Sequence, residues 1–280
     1  MEEHRPPDEV VRHYRDQIDE GQRLAHGLGQ LELLRTREIV RRHLPDGPLR
    51  ILDVGGATGV HAAWLAEDGH QVHIVDPVAA QVARALESPA ARAGRITAEV
   101  GDARRLAAGQ ASFDAVLLLG PLYHLTERAD RLTALAEARR VVKPGGPVFA
   151  AAISRFASLF DGLARGFLFE PGFQDIVERD LRDGQHRNPT DHPHWFTTAY
   201  FHHPDELEAE LRTSGLSVRE VLGVEGLAGW LGHLADRWHD PSAREVILRS
   251  ARAVEAETGL RGLSAHLLGV TARPVEAGRG

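Results

Sequence analysis

Residues 49–59 read LRILDVGGATG, and this stretch decides the fold. Leu49, Ile51, Leu52 and Val54 form a short apolar run of buried-strand type, and it runs straight into Gly55 and Gly56. Two glycines let a chain reverse sharply and pass close to a ligand. Gly59 then lets a helix pack near the strand, and VHAAWLAEDG (60–69) reads as that helix, with Gly69 as its stop.

The alternation continues outward. HQVHIVDP (70–77) is a second strand that ends in an acid and a proline, and VAAQVARALESPAARAG (78–94) a second helix. RITAEVGDA (95–103) is a third strand and FDAVLLLGPL (113–122) a fourth, strongly apolar one. An amphipathic helix over 128–142, a KPGG turn and the strand PVFAAAI (147–153) follow. Strands and helices alternating at this spacing specify a doubly wound, mostly parallel α/β sheet. Alternation stops after Ile153 for about fifty residues and resumes with a helix and strand over 203–226, and SAHLLGVTARP (264–274) closes the chain as a strand. Residues 8–44 read as two helices broken near Gly27 and Gly29. The expected organisation is a helical cap over 1–48 and a core over 49–154 and 204–274. An insertion over 155–203 and a helical segment over 227–259 interrupt that core.

Composition removes several chemistries. The chain has 280 residues, net charge −7 and no cysteine. Disulfides, thiolate metal sites and cysteine nucleophiles are thereby absent. The acidic balance argues against a nucleic-acid partner. No apolar run reaches membrane-spanning length, and MEEHRPPDEV is too polar for a signal peptide, so a cytoplasmic location without membrane contact is expected. Lys143 is the only lysine, so there is no Gly-Lys phosphate loop, and Arg139 stands where a short-chain dehydrogenase needs tyrosine. No G-x-S-x-G is present. The dinucleotide fingerprint G-x-G-x-x-G also fails, with Ala57 and Val60 or Thr58 and His61 at the later glycine positions.

The ordered pieces ILDVGGATG, HIVDP, VGDA, FDAVLLLGPLYHL, RVVKPGG and HLLGVTA resemble class I S-adenosylmethionine-dependent methyltransferases of small-molecule type. The likeness is close over 49–154 and looser in the C-terminal strands. The family's usual acid-x-G-x-G-x-G is met by Asp53, Gly55 and Gly59, while Ala57 departs at the middle glycine. The resemblance implies a seven-stranded Rossmann-like sheet and S-adenosylmethionine as cofactor, leaving as S-adenosylhomocysteine. It places Gly55, Gly56, Ala57 and Gly59 at the methionine part of the cofactor. Asp76, with Pro77 beside it, would hold the ribose, and Asp102 and Ala103 would meet the adenine. Leu119 and Gly120 would line the site. Read alone, Asp76 and Asp102 are equally turn or helix-cap residues. Tyr14 and Arg23 of the N-terminal helices either close over the cofactor, the arginine meeting its carboxylate, or lie on a solvated face.

Methyl transfer is an in-line displacement that needs a positioned acceptor, excluded water, and a base only when the acceptor arrives protonated. Tyr123 and His124, just past the fourth strand, are the candidate catalytic pair, with His124 as base; the alternative is that His124 packs beneath the next helix. Seven of nine phenylalanines fall within 154–203, as does the stretch DGQHRNPTDHPHWFTTAYFHH (183–203). An aromatic lid over the acceptor explains this composition, with part of it serving as the insertion's own core. Arg155, Phe156, His186, Arg187, Tyr200 and His202 are the candidate acceptor contacts. The histidines lack i, i+4 ligand spacing, and no metal is assigned. The expected activity is methyl transfer to an oxygen or nitrogen of a small molecule or a modified peptide terminus, by a monomer or homodimer. The alternatives are a cofactor-binding protein of this fold without methyl transfer, and a nicotinamide-dependent oxidoreductase.

Overall fold

The computed structural model describes residues 23, 24, 26, 27 and 29–275. Its centre is a sheet in which β3 (Ile96–Val100), β2 (Gln71–Asp76), β1 (Arg50–Val54), β4 (Ala115–Leu118) and β5 (Pro147–Ser154) lie side by side in that order, all parallel. Beyond β5 comes β9 (His266–Ala272), antiparallel, and outside it β8 (Ser217–Gly223). Order reverses between β1 and β4, and that switch point is where ligands of open α/β sheets bind.

Period-two alternation explains why both faces are covered. Leu52 and Val54 of β1 and Val116 and Leu118 of β4 bury on one face, while Ile51, Ala115 and Leu117 bury on the other. The first face is roofed by α6 (Arg128–Val141) through Ala134, Leu135 and Ala138, and by α9 (Pro204–Thr213) through Leu207 and Leu211. The second is roofed by α1 (Gly29–His43) through Ile39 and Val40, and by α2 (Val60–Glu67) through Trp64 and Leu65. A strand buried on both faces has to be apolar throughout, which is why β4 reads as a continuous apolar run.

Two stretches differ from the sequence expectation. The second helix is two pieces, α3 (Ala79–Leu86) and α4 (Pro89–Arg92). Ser88 caps the second piece by accepting from the Ala91 N–H, with Pro89 in its first turn, so the chain stops and restarts there. The 227–259 segment opens as 3-10 turns at Gly226–Trp230 and Gly232–Arg237, and only Pro241–Val254 is an α-helix, α10, started by Asp240.

The chain between β5 and α9 forms α7 (Ala157–Arg165), α8 (Phe173–Asp183) and a small hairpin of β6 (Gln185–His186) and β7 (Ala199–His202). Ile153 pairs with His266 of β9 on one edge and with Phe201 of β7 on the other. β7 therefore stands on the β4 side of β5, beyond β4's last partner at Ala150. That puts it over the carboxyl end of β4. The short helix α5 (Pro121–His124) lies there. No helix among the described residues is long and apolar enough to cross a membrane.

Candidate cofactor and methyl-transfer site

A cavity of about 340 Å³ opens at the carboxyl ends of the parallel strands. The glycine turn after β1 forms its floor. The Gly55 N–H donates to the Val75 carbonyl at 2.7 Å, which ties the turn to β2. A Cβ on Gly56 would lie 2.7 Å from Asp53 Oδ2, so nothing larger fits above that carboxyl. Ala57 holds φ of 46°, in the left-handed region, where the family's glycine would sit without steric cost. Gly59, at φ 84°, precedes α2 and packs on Ile74; it does not line the cavity.

Three carboxyl groups line the cavity along the strand ends. Asp53, at the end of β1, is 1% exposed, and neither of its oxygens has a hydrogen-bond partner among the described residues. Burial, with the Asp76 charge nearby, pushes its carboxyl up to about 7. Asp76 ends β2; its oxygens accept from the Ala57 N–H at 2.9 Å and the Val78 N–H at 2.8 Å. Burial raises its pKa against those two bonds. Asp76 thus organises its own turn and still borders the cavity beside Pro77. Asp102, past β3, is gripped by Arg104: Nε donates to Oδ1 at 2.9 Å and a terminal nitrogen to Oδ2 at 2.6 Å. Arg104 also reaches Asp130 of α6 at 2.8 Å, and all three line the cavity with Ala103.

The β4 end supplies Leu119, Gly120, Tyr123 and His124. The Tyr123 hydroxyl donates to the Leu119 carbonyl at 3.2 Å, which fixes the ring. The rings of Tyr123 and His124 are 4.7 Å apart, and Phe196 lies 6.4 and 6.1 Å from them.

Most cofactor residues expected from sequence meet around this one cavity, and the departures are informative. Tyr14 lies outside the described residues. Arg23 does not line the cavity; it holds Glu32 of α1 in a two-pronged pair at 2.6 and 2.8 Å. Glu32 itself lines the cavity, as do His61 and Gln81. Sequence reasoning missed these three because they belong to three different helices, α1, α2 and α3, and only the packing of those helices on the sheet brings them to one surface. Glu32, Glu225 and His266 bring their ligand-type atoms within 4.8 Å of one another, the one such group among the described residues. Although burial lowers it, the charges of Glu32 and Glu225 carry the His266 pKa to about 9. A proton on that ring supplies the cation between the two carboxylates.

None of the six acceptor residues expected from sequence lines this cavity. Arg155 is buried, donating to the Phe201 carbonyl at 2.8 Å and to Glu206 at 2.5 Å, with the Tyr200 hydroxyl also on that carboxylate. His186 is 1% exposed and lies 2.8 Å from Asp180. Arg187 ties the hairpin through the His186 carbonyl at 2.7 Å. His202 is fully buried, 3.3 Å from Glu210, and burial lowers its pKa. Phe156 packs on His203 at 5.9 Å. These side chains hold the insertion onto the sheet, and apart from His202 Nδ1 their buried polar groups have protein partners.

The cavity suits S-adenosylmethionine on its own evidence. Its glycine cradle admits backbone-close approach, and a buried carboxyl without a partner suits a cationic ligand. Further acids stand along the strand ends for hydroxyl and amine donors. A methyltransferase-domain family profile matches residues 51–146. A demethylmenaquinone methyltransferase from Deinococcus radiodurans is 34% identical over 68% of this chain and 77% of its own length. A ubiquinone biosynthesis O-methyltransferase from Azorhizobium caulinodans is 30% identical over 71% of this chain and 74% of that protein. An S-adenosylmethionine-dependent methyltransferase structure from Mesorhizobium loti superposes with a TM-score of 0.56 at 20% identity, covering 87% of this chain and all of that one. At a relative's identity and coverage of this size, the fold, the donor and the reaction come together: the chain belongs to the class I S-adenosylmethionine-dependent methyltransferases, an enzyme that draws its methyl group from S-adenosylmethionine.

Proposed function

We propose that the enzyme methylates a small, partly apolar acceptor at oxygen or nitrogen, a hydroxyl oxygen first, beneath an aromatic lid made by residues 155–203. The observation that carries this reading is the pairing of Tyr123 and His124 on the cavity wall at the end of β4, with Phe196 of the insertion against both rings. That O-methyltransferases are among the chain's relatives supports an oxygen acceptor. The same wall suits a modified peptide terminus only if its chain lies outside the cavity.

Bound S-adenosylmethionine supplies an activated methyl carbon and a thioether leaving group. The chain's residues do the rest. Gly55, Gly56 and Ala57 would let the backbone approach the donor's methionine part, Asp76 would hold its ribose, and Asp102, held by Arg104, would meet its adenine. Tyr123, fixed by its bond to the Leu119 carbonyl, forms a wall that orients the acceptor. Phe196 and its neighbours exclude water. His124 stands where it would take the acceptor's proton as the acceptor oxygen bonds to the methyl carbon, and the donor, when bound, would carry the carbon–sulfur electron pair away on sulfur.

The test is a set of phenols, alcohols, amines and short modified peptides assayed by S-adenosylhomocysteine formation, with His124→Gln alongside wild type. With a phenolic acceptor the variant is expected to lose about 10²- to 10⁴-fold in kcat/KM at neutral pH and to recover as the phenol ionises at alkaline pH. Wild-type rates in the variant at neutral pH would remove His124 as the base.

A further inference from the structure

We propose that Glu32 of α1 is a binding residue for the donor, receiving the α-ammonium of its methionine portion. This rests on the reading of the cavity as the donor site. Glu32 lines that cavity, and its side chain is 17% exposed. His61, in the first turn of α2 directly after the glycine turn, is close enough to act on its charge. Glu32 therefore stands at the glycine-turn end of the cavity, two strands away from Asp102. The amino-acid end of the donor lies at that end under the assignment above.

Its surroundings keep Glu32 ionised. Burial pushes the carboxyl up, but the charges of Arg23 and His266 outweigh this and bring it to about 2. Arg23 grips both oxygens, and His266 Nδ1 lies 3.7 Å from Oε2 and 2.5 Å from Glu225 Oε1. The row Arg23, Glu32, His266, Glu225 thus alternates in sign, from a residue preceding α1 to one just past β8. A carboxylate has about four acceptor positions, so the two spent on Arg23 leave room for an ammonium on the cavity side. Such a bond is charge-assisted on both partners. The alternating row fixes the carboxylate's direction, so no rearrangement is required when the ammonium arrives.

Two probes separate this role from general damage: S-adenosylhomocysteine, which carries the amino-acid end, and 5′-methylthioadenosine, which lacks it. Both are titrated by calorimetry into wild type, Glu32→Gln and Glu225→Gln. Glu32→Gln is expected to raise the Kd for S-adenosylhomocysteine about tenfold or more and to leave that for 5′-methylthioadenosine within about twofold. Glu225→Gln, which loosens the row behind Glu32 without touching the cavity, is expected to give a smaller loss of the same kind, for S-adenosylhomocysteine alone. Should Glu32→Gln not fold, Glu32→Asp retains the charge but shortens its reach, and the same selective loss is expected. Unchanged S-adenosylhomocysteine affinity, or equal loss of both probes, would overturn the assignment of Glu32. If wild type binds neither probe, the cavity itself is not the donor site, a separate failure.

Discussion

Replacing Asp53 by asparagine should make the protein more stable at neutral pH and should flatten the pH dependence of its unfolding. The folded carboxyl ionises near 7, against 3.8 when unperturbed, because it is fully buried and faces the charge of Asp76. Below pH 3.8 both states carry the proton and Asp53 costs nothing. Between 3.8 and about 7 the folded state holds a proton that the unfolded state has released, so raising the pH favours unfolding. Above that window both are ionised and the penalty is constant. Each pH unit inside the window corresponds to about 1.4 kcal/mol, so wild type should lose about 2 kcal/mol relative to Asp53→Asn between pH 5 and 7. Asparagine has nearly the shape of the protonated acid and no charge to bury. Urea midpoints and slopes for both proteins, measured at half-unit steps from pH 5 to 8, give the difference directly. Subtracting the two curves removes groups common to both, such as His266. Parallel curves would show that Asp53 is already ionised at pH 5 in the folded protein, and the account of its burial would be wrong.

Two other substitutions test the frame around the site. Ala57→Gly relieves a left-handed backbone at φ 46° and should stabilise by about 1 kcal/mol in denaturant unfolding, with the Ala57 N–H still bonded to Asp76. Arg131→Met removes the buried guanidinium that donates to Glu210 at 2.9 and 2.7 Å and to the Leu125 and Thr126 carbonyls. Burial pushes the Glu210 carboxyl up, yet bonds from His202 and Arg131 hold it at about 2; losing Arg131 should cost about 3–5 kcal/mol by urea midpoint.

The sheet was legible because its signals are local. A buried strand, a glycine turn and a helix stop each occupy a few adjacent residues, and their order alone carries the topology. The family motif likewise pointed to the turn that floors the cavity. Where reading failed, the deciding partner was supplied by tertiary packing. His186 and His202 have the chemistry of acceptor contacts, yet Asp180 and Glu210 reach them only because a hairpin and two helices pack together. Arg23 was ambiguous for the same reason: position in a helix did not reveal that Glu32, which the sequence reading passed over, lines the cavity in its place. Ser88-Pro89, by contrast, was a readable helix restart inside a pattern periodic enough to be taken as one helix. Arg104 was also readable in principle, being two residues from the acid it grips, but an arginine beside an aspartate is too common to signal anything by itself.

The position of β7 has a consequence for how the enzyme can be altered. Ser154 and His202, where the insertion leaves and rejoins the framework, are paired neighbours in one sheet. Adjacent strands are separated by about 4.8 Å, so the two junctions form a fixed socket and the intervening chain is a cassette. A foreign cassette ending in the same two-residue pairing would meet the framework without asking any core strand to move. The glycine turn and the cavity it floors take no residue from that cassette, so on the lid role proposed above its exchange would change the acceptor on an unaltered framework.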